Sequence, residues 1–200
     1  MIKWIIFDLG GVYFTRGSRI AIGQLIKEFP EMLPETINYI VYGRIGRDYR
    51  KGLHTKKEFW KKAQETTSIK FNTQKFASIW HDSYKVKKGV ERIVKKLSKK
   101  YDLAIISGTT RERVKFLDEK YDFKKYFKER IFTYNVNANK KSRKIYRVAL
   151  KRLKAKPSEC LFIDDYPWHA KYAQSLGIKT ILFKNAEQLK KDLKKHGVKI

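Results

Sequence analysis

The sequence predicts an α/β protein: a parallel sheet covered by helices on both faces, with a block of helices inserted after its first strand. Three observations predict it. Apolar runs suited to buried strands recur at 4–7, 102–106, 160–163 and 179–183, separated by segments with helical periodicity. Three of these runs end in polar residues: Asp8, then Ser107-Gly108-Thr109, then Asp164-Asp165. The stretch from the first strand to about Tyr84 holds no second convincing strand.

In order, Trp4 to Phe7 reads as a strand buried on both faces, followed by Asp8 and the Gly10-Gly11 pair. A carboxylate at the end of a buried strand is costly unless something there needs it. Glycines let the backbone turn sharply beside a ligand. The plain alternative is an aspartate that only caps a turn.

Ser18 is placed to cap a helix with Ile22, Leu25, Ile26 and Phe29 on one face, stopped by Pro30. Pro34 opens a second, carrying Ile37, Ile40 and Val41. Thr55 and Glu58 have capping-box spacing before Phe59 and Trp60. A further helix follows Asn72, with Phe76, Ile79 and Trp80 on one face. These four helices form the inserted block, 15–84, read as a lid or cap; 1–14 and 85–200 make the core.

Val90, Ile93, Val94 and Leu97 mark a helix whose other face is almost all lysine. The strand 102–106, a helix over 111–121 and a short strand over 130–134 come next. Tyr146, Ala149, Leu150 and Leu153 give another amphipathic helix. The strand 160–163 follows Pro157 and Ser158, and a short helix over 168–176 is closed by Gly177. A fifth strand, 179–183, and a helix over 186–195 end the chain. In an open parallel sheet, ligands bind at the carboxyl ends of the strands, where the three polar groups would converge.

Two hundred residues with 42% hydrophobic content supply a packed core. No apolar run approaches the ~20 residues that span a bilayer, and the N-terminus reaches an acid too soon for a signal peptide. The lone Cys160 excludes an internal disulfide, so a reducing cytoplasm is the expected location. No zinc-ligand spacing is present. Forty-seven Lys and Arg against 20 Asp and Glu give +27. That charge fits a solvated lysine coat or an anionic partner, a phosphorylated metabolite or nucleic acid.

The polar strand ends carry a resemblance. Phe7-Asp8-Leu9-Gly10-Gly11-Val12, Ile105-Ile106-Ser107-Gly108-Thr109, Lys140 ahead of Ile145-Tyr146, and Leu161-Phe162-Ile163-Asp164-Asp165 fall in the order of the four motifs of the haloacid dehalogenase-like (HAD) hydrolase superfamily, which the chain resembles over nearly its whole length. The resemblance implies a Rossmann-like three-layer core with an α-helical cap, and an Mg²⁺-dependent phosphatase acting on a small phosphorylated substrate. Asp8 would be the nucleophile, Ser107, Gly108 and Thr109 would hold the phosphate, and Lys140 would neutralise both. Asp8, the Gly10 carbonyl, Asp164 and Asp165 would hold the metal.

Two departures stand out. Members that hydrolyse phosphate esters commonly carry a second aspartate where this chain has Gly10, so the preferred leaving group is expected to need little protonation. Around the lysine the chain reads Lys140-Lys141-Ser142-Arg143, which makes Lys141 a rival, with Lys140 favoured.

Of the remaining candidates, His169 is expected on an exposed helix surface, with proton donation as the alternative. His81, beside Asp82, and Arg44, Arg47 and Arg50 are the insert's polar candidates, the arginines suited to clamping an anion or to an exposed face. Trp60 and Trp80 read as packing residues and Cys160 as a buried strand residue. The rival functions are a metal-independent 2-haloacid dehalogenase and a basic, nucleic-acid-associated protein with little catalysis.

Overall fold

The computed structural model describes all 200 residues. Five strands form one wholly parallel sheet: β1 (Trp4–Phe7), β2 (Asp102–Ser107), β3 (Glu129–Phe132), β4 (Cys160–Asp164) and β5 (Lys179–Leu182), in the order β3-β2-β1-β4-β5. β1 is therefore central, with Phe7 in register with Ile105 on one side and Ile163 on the other. That register brings the carboxyl ends of β1, β2 and β4 side by side, where the chain leaves the sheet in opposite directions.

The helices are α1 (Gly17–Glu28), α2 (Pro34–Tyr42), α3 (Arg44–Arg50), α4 (Lys56–Glu65), α5 (Thr73–Asp82), α6 (Lys88–Leu97), α7 (Arg111–Tyr121), α8 (Thr133–Val136), α9 (Arg143–Leu153), α10 (Pro167–Gln174) and α11 (Ala186–Lys195). Side chains alternate across the sheet and so build two cores. Ile5, Phe7, Leu103, Ile105, Leu161 and Ile163 pack with Val90 and Val94 of α6, Leu117 of α7 and Leu189 of α11. Ile6, Ala104, Ile106 and Phe162 pack on the other face with Ile145, Tyr146 and Ala149 of α9 and Ala173 of α10. The result is the three-layer α/β architecture expected from the sequence.

Helices α1 to α5 lie between β1 and α6 and have an apolar core of their own, including Leu25, Ile37, Ile40, Phe59, Phe76 and Trp80. The chain enters and leaves this block through a paired neck. Thr15 N donates to Lys85 O at 2.8 Å and Lys87 N to Tyr13 O at 2.9 Å.

Several local expectations are corrected. The insert has five helices, because Gly43 separates α2 from the short α3. Ser18 caps nothing: α1 begins at Gly17, and Arg16 at the N-cap makes no side-chain cap bond. The Ser18 hydroxyl is instead used between elements, accepting from Trp80 Nε1 at 2.9 Å and lying 2.7 Å from the Tyr84 hydroxyl. The third strand ends at Phe132, where the chain turns directly into α8. The helix expected over 168–176 is α10, which starts at Pro167. The Thr55–Glu58 capping box forms as its spacing required. No helix is long and apolar enough to cross a membrane.

Candidate active site

Asp8 follows the last residue of the central strand, and its backbone N–H donates to Ile163 O at 2.9 Å, which extends the ladder to β4. Its carboxylate is buried, 5% exposed. Oδ1 accepts from Leu9 N at 2.7 Å, and Oδ2 lies 2.7 Å from Lys140 Nζ. Lys140 comes from the loop before α9, is 7% exposed, and also bonds Asp164 Oδ2 at 2.8 Å. Its backbone carbonyl lies 2.9 Å from the Tyr146 hydroxyl, which anchors the loop to α9. Lys141 points the other way, is exposed, and lies over the Tyr166 ring. Of the two rivals, the structure places only Lys140 among the carboxylates.

Asp164 is fully buried at the end of β4. Its Oδ1 accepts from Tyr166 N at 2.8 Å and lies 3.0 Å from His169 Nδ1. His169 is thus not an exposed surface residue, as its sequence position suggested. The first turn of α10 folds it back onto Asp164, and burial holds its pKa below the ordinary value, so the neutral ring donates from Nδ1. Asp165 accepts from Arg16 Nε at 2.7 Å. Gly11, at φ +94°, lies so close that a Cβ there would overlap the Asp165 carboxylate, a conformation and an approach that favour glycine.

Asp8, Asp164 and Asp165 each bring an oxygen to within 4.8 Å of the others. One ammonium serves two of these carboxylates. Burial pushes the Asp8 carboxyl up to about 7, against the pull of Lys140 and with the repulsion of Asp164 added. Asp164 lies below its ordinary value because Lys140 and His169 outweigh its burial. Lys140 is raised, since the two carboxylates outweigh its desolvation. The first proton taken up by the cluster therefore goes to Asp8.

Asp8 and Asp165 open into a cleft of about 440 Å³, also lined by Gly10, Ser107, Gly108, Thr109, Lys140 and His169, with Asp164 buried behind them. Its wall toward the insert carries Arg16, Arg19, Arg50, Tyr42 and Tyr84, with Arg113 from α7. The sequence named Arg50 within a triplet, and of the three only Arg50 reaches the cleft; Arg44 and Arg47 are exposed on α3. His81 is outside it, packed on Phe116, and burial lowers its pKa to about 3. Trp60 and Trp80 pack in the insert's apolar core, and Trp80 also meets Arg113 of α7. Cys160 is buried, and burial pushes its thiol up to about 11, which leaves it without nucleophilic character at neutral pH. Arg113 went unnoticed in the sequence; its signal was its position in the first turn after the Ser107-Gly108-Thr109 strand end.

A haloacid dehalogenase-like hydrolase family model matches residues 2–177. An uncharacterized protein of Dictyostelium discoideum is 23% identical over 143 residues, 69% of this chain; the chain spans only 61% of the length of that curated relative. Among solved structures, a HAD family enzyme of Bacteroides thetaiotaomicron in complex with magnesium and inorganic phosphate has a TM-score of 0.79 at 24% identity, covering 92% of this chain and 95% of its own. A predicted HAD-like family hydrolase from Porphyromonas gingivalis gives 0.76 at 20% identity, with full coverage of both chains. L-2-haloacid dehalogenase of Xanthobacter autotrophicus, with chloropropionic acid covalently bound, gives 0.68 at 14%, covering 100% of this chain and 85% of its own. At these identities the likenesses establish the fold.

Proposed function

This chain belongs to the haloacid dehalogenase-like hydrolases, and from that premise we propose that it is an Mg²⁺-dependent phosphomonoesterase acting on a small phosphorylated compound through an aspartyl-phosphate on Asp8. The observation that carries this reading is the cluster itself: three carboxylates gathered at one sheet edge around a single lysine. That donor set is all oxygen, and its three carboxylates, once ionised, outnumber the Lys140 and Arg16 cations paired with them, which suits a hard dication. Asp8, Asp164 and Asp165 would hold it, with the Gly10 carbonyl as a further donor. Bound there, Mg²⁺ would offset the carboxylate charge and withdraw electron density from a phosphoryl oxygen. The similarly folded Bacteroides thetaiotaomicron enzyme, solved with magnesium and inorganic phosphate, supports the assignment.

In the first step an oxygen of Asp8 attacks phosphorus and the bond from phosphorus to the leaving oxygen breaks. Lys140 offsets charge on Asp8 and on the phosphoryl group. The Ser107 hydroxyl and the Gly108 N–H hold phosphoryl oxygens. Water then cleaves the aspartyl-phosphate and releases inorganic phosphate. With glycine at position 10, no carboxyl stands there to protonate the leaving group, so acyl and anomeric phosphates are the preferred class. Residues 15–84 act as the cap that closes the cleft and excludes water during the first step.

The dehalogenase alternative needs no metal, and a cluster of three carboxylates serves it poorly. Halide release from a 2-haloacid that persists in chelator would favour it. The phosphatase reading is tested by Asp8→Asn, which should abolish Mg²⁺-dependent turnover of an aryl phosphate with the circular dichroism spectrum retained. Turnover like that of the unmodified protein would remove the covalent mechanism.

A further inference from the structure

We infer that the cleft carries a second anion subsite, built by Arg113 and Arg50, and that the substrate is a phosphomonoester bearing another negatively charged group, a carboxylate or a second phosphate. The phosphomonoester half of this statement rests on the function proposed above; the subsite does not.

Arg113 is 1% exposed, yet its Nε and Nη2 have no hydrogen-bond partner. Its guanidinium lies 4.4 Å from the Trp80 ring centroid and 4.6 Å from that of Tyr84. Aromatic faces stabilise the cation, but they leave its in-plane N–H donors unspent. Buried guanidinium groups are normally matched by a carboxylate, because a desolvated charge without a partner is costly. The adjacent Glu112 is already engaged by the Tyr49 hydroxyl at 2.5 Å. Arg113 therefore lines the cleft with a guanidinium two of whose donors, themselves buried, are unspent.

Arg50 lines the same cleft, with Nη1 donating to Val41 O at 2.7 Å and no carboxylate beside it. Its burial, and next the charge of Arg113, pull its pKa down to about 10. Two neighbouring cations that raise each other's energy are both relieved by an anion between them. The reacting phosphate does not by itself explain them, since the Asp8 end already has Lys140. Five cationic side chains line the cleft against two carboxylates, before any metal is added.

The pair also spans the junction of the two layers. Arg113 belongs to α7 of the core, whereas Arg50 and Trp80 belong to α3 and α5 of the insert. Trp80 and Tyr84 are held in place through Ser18. A planar fork held against two rings suits bidentate recognition of a carboxylate or phosphate. The subsite is complete only when the insert rests on the core, which would couple recognition of the distal anion to closure.

The test compares three probe series with short carbon chains of graded length: carboxyalkyl phosphates, alkane bisphosphates and plain alkyl phosphates. Binding is measured by calorimetry on Asp8→Asn with Mg²⁺, and turnover on the unmodified protein. A probe with a second anion should bind about tenfold or more tightly than its plain counterpart, the margin expected of a charge-assisted hydrogen-bond pair. Arg113→Met and Arg50→Met should each erase that margin, and the series with the larger margin tells carboxylate from phosphate. Should Arg113→Met fail to fold, Arg50→Met makes the same comparison. Equal binding of charged and plain probes at every length overturns the subsite, even if all are hydrolysed. A charged-probe margin that depends on the arginines, without turnover of any probe or of acetyl phosphate, upholds the subsite and removes the phosphatase reading.

Discussion

The Lys140 ammonium lies 2.7 Å from Asp8 Oδ2, and both side chains are almost wholly buried, 7% and 6% exposed. Removing that cation leaves Asp8 and Asp164 facing one another without a counter-charge. Lys140→Met should lower kcat/KM on an aryl phosphate by about 10²-fold or more, and reduce stability by roughly 3–5 kcal/mol as a broken buried pair. Lys141→Met, on the exposed side of the same loop, should change kcat/KM by less than about twofold. Steady-state kinetics and chemical denaturation check both, and equal effects of the two variants would reverse the assignment.

The raised pKa of Asp8 predicts how stability responds to pH. Without metal, the folded protein keeps the Asp8 proton up to about 7, whereas the unfolded chain releases it near the ordinary value of 3.8. Across that window the unfolded state binds fewer protons, so Asp8 costs stability as pH rises. In chelator, the melting temperature of Asp8→Asn relative to the unmodified protein should therefore climb from pH 4 to pH 8. Adding Mg²⁺ at pH 8 should shrink the difference. A flat difference across the window would contradict the raised pKa.

His169 reaches Asp164 through Nδ1 at 3.0 Å and so orients one of the carboxylates assigned to the metal. Groups of this kind typically support metal affinity by about 10–100-fold. His169→Ala should raise the Mg²⁺ concentration needed for half-maximal activity by that factor, and calorimetric Mg²⁺ binding should weaken in parallel. Unchanged Mg²⁺ dependence would reduce His169 to a packing residue.

Gly11 adopts φ +94° against the Asp165 carboxylate. Gly11→Ala must displace Asp165 or the turn, at a cost of about 1–3 kcal/mol for the backbone alone. Thermal denaturation should register that loss, and Mg²⁺ affinity should fall with it. Retention of both would mean that the turn adapts without moving Asp165.

Gly10 offers room where Gly11 does not: a Cβ there would meet Tyr84 Cε1 at an ordinary 3.5 Å. Gly10→Asp should therefore be accommodated and supply the missing acid. General acid help is typically worth ~10²–10⁴-fold, so turnover of a simple alkyl phosphate should gain and that of acetyl phosphate should barely move. The unmodified protein should show the converse preference, favouring acetyl phosphate.

By itself the sequence determined the sheet and the polar ends of its strands. Buried parallel strands are short apolar runs, and the residue where each run stops is a local fact, which is why Asp8, Ser107 and the Asp164-Asp165 pair could be placed without coordinates. The tertiary structure alone decided which cations face them. Lys140 and Lys141 are neighbours in the chain, and only the fold of the loop before α9 buries one against Asp8 and Asp164 while leaving the other in solvent. His169 and Arg113 were equally hidden, because helical period gives the face of a helix but not what another element lays against it. A charge's surroundings are set by groups distant in the chain, and those meet only once the layers have packed.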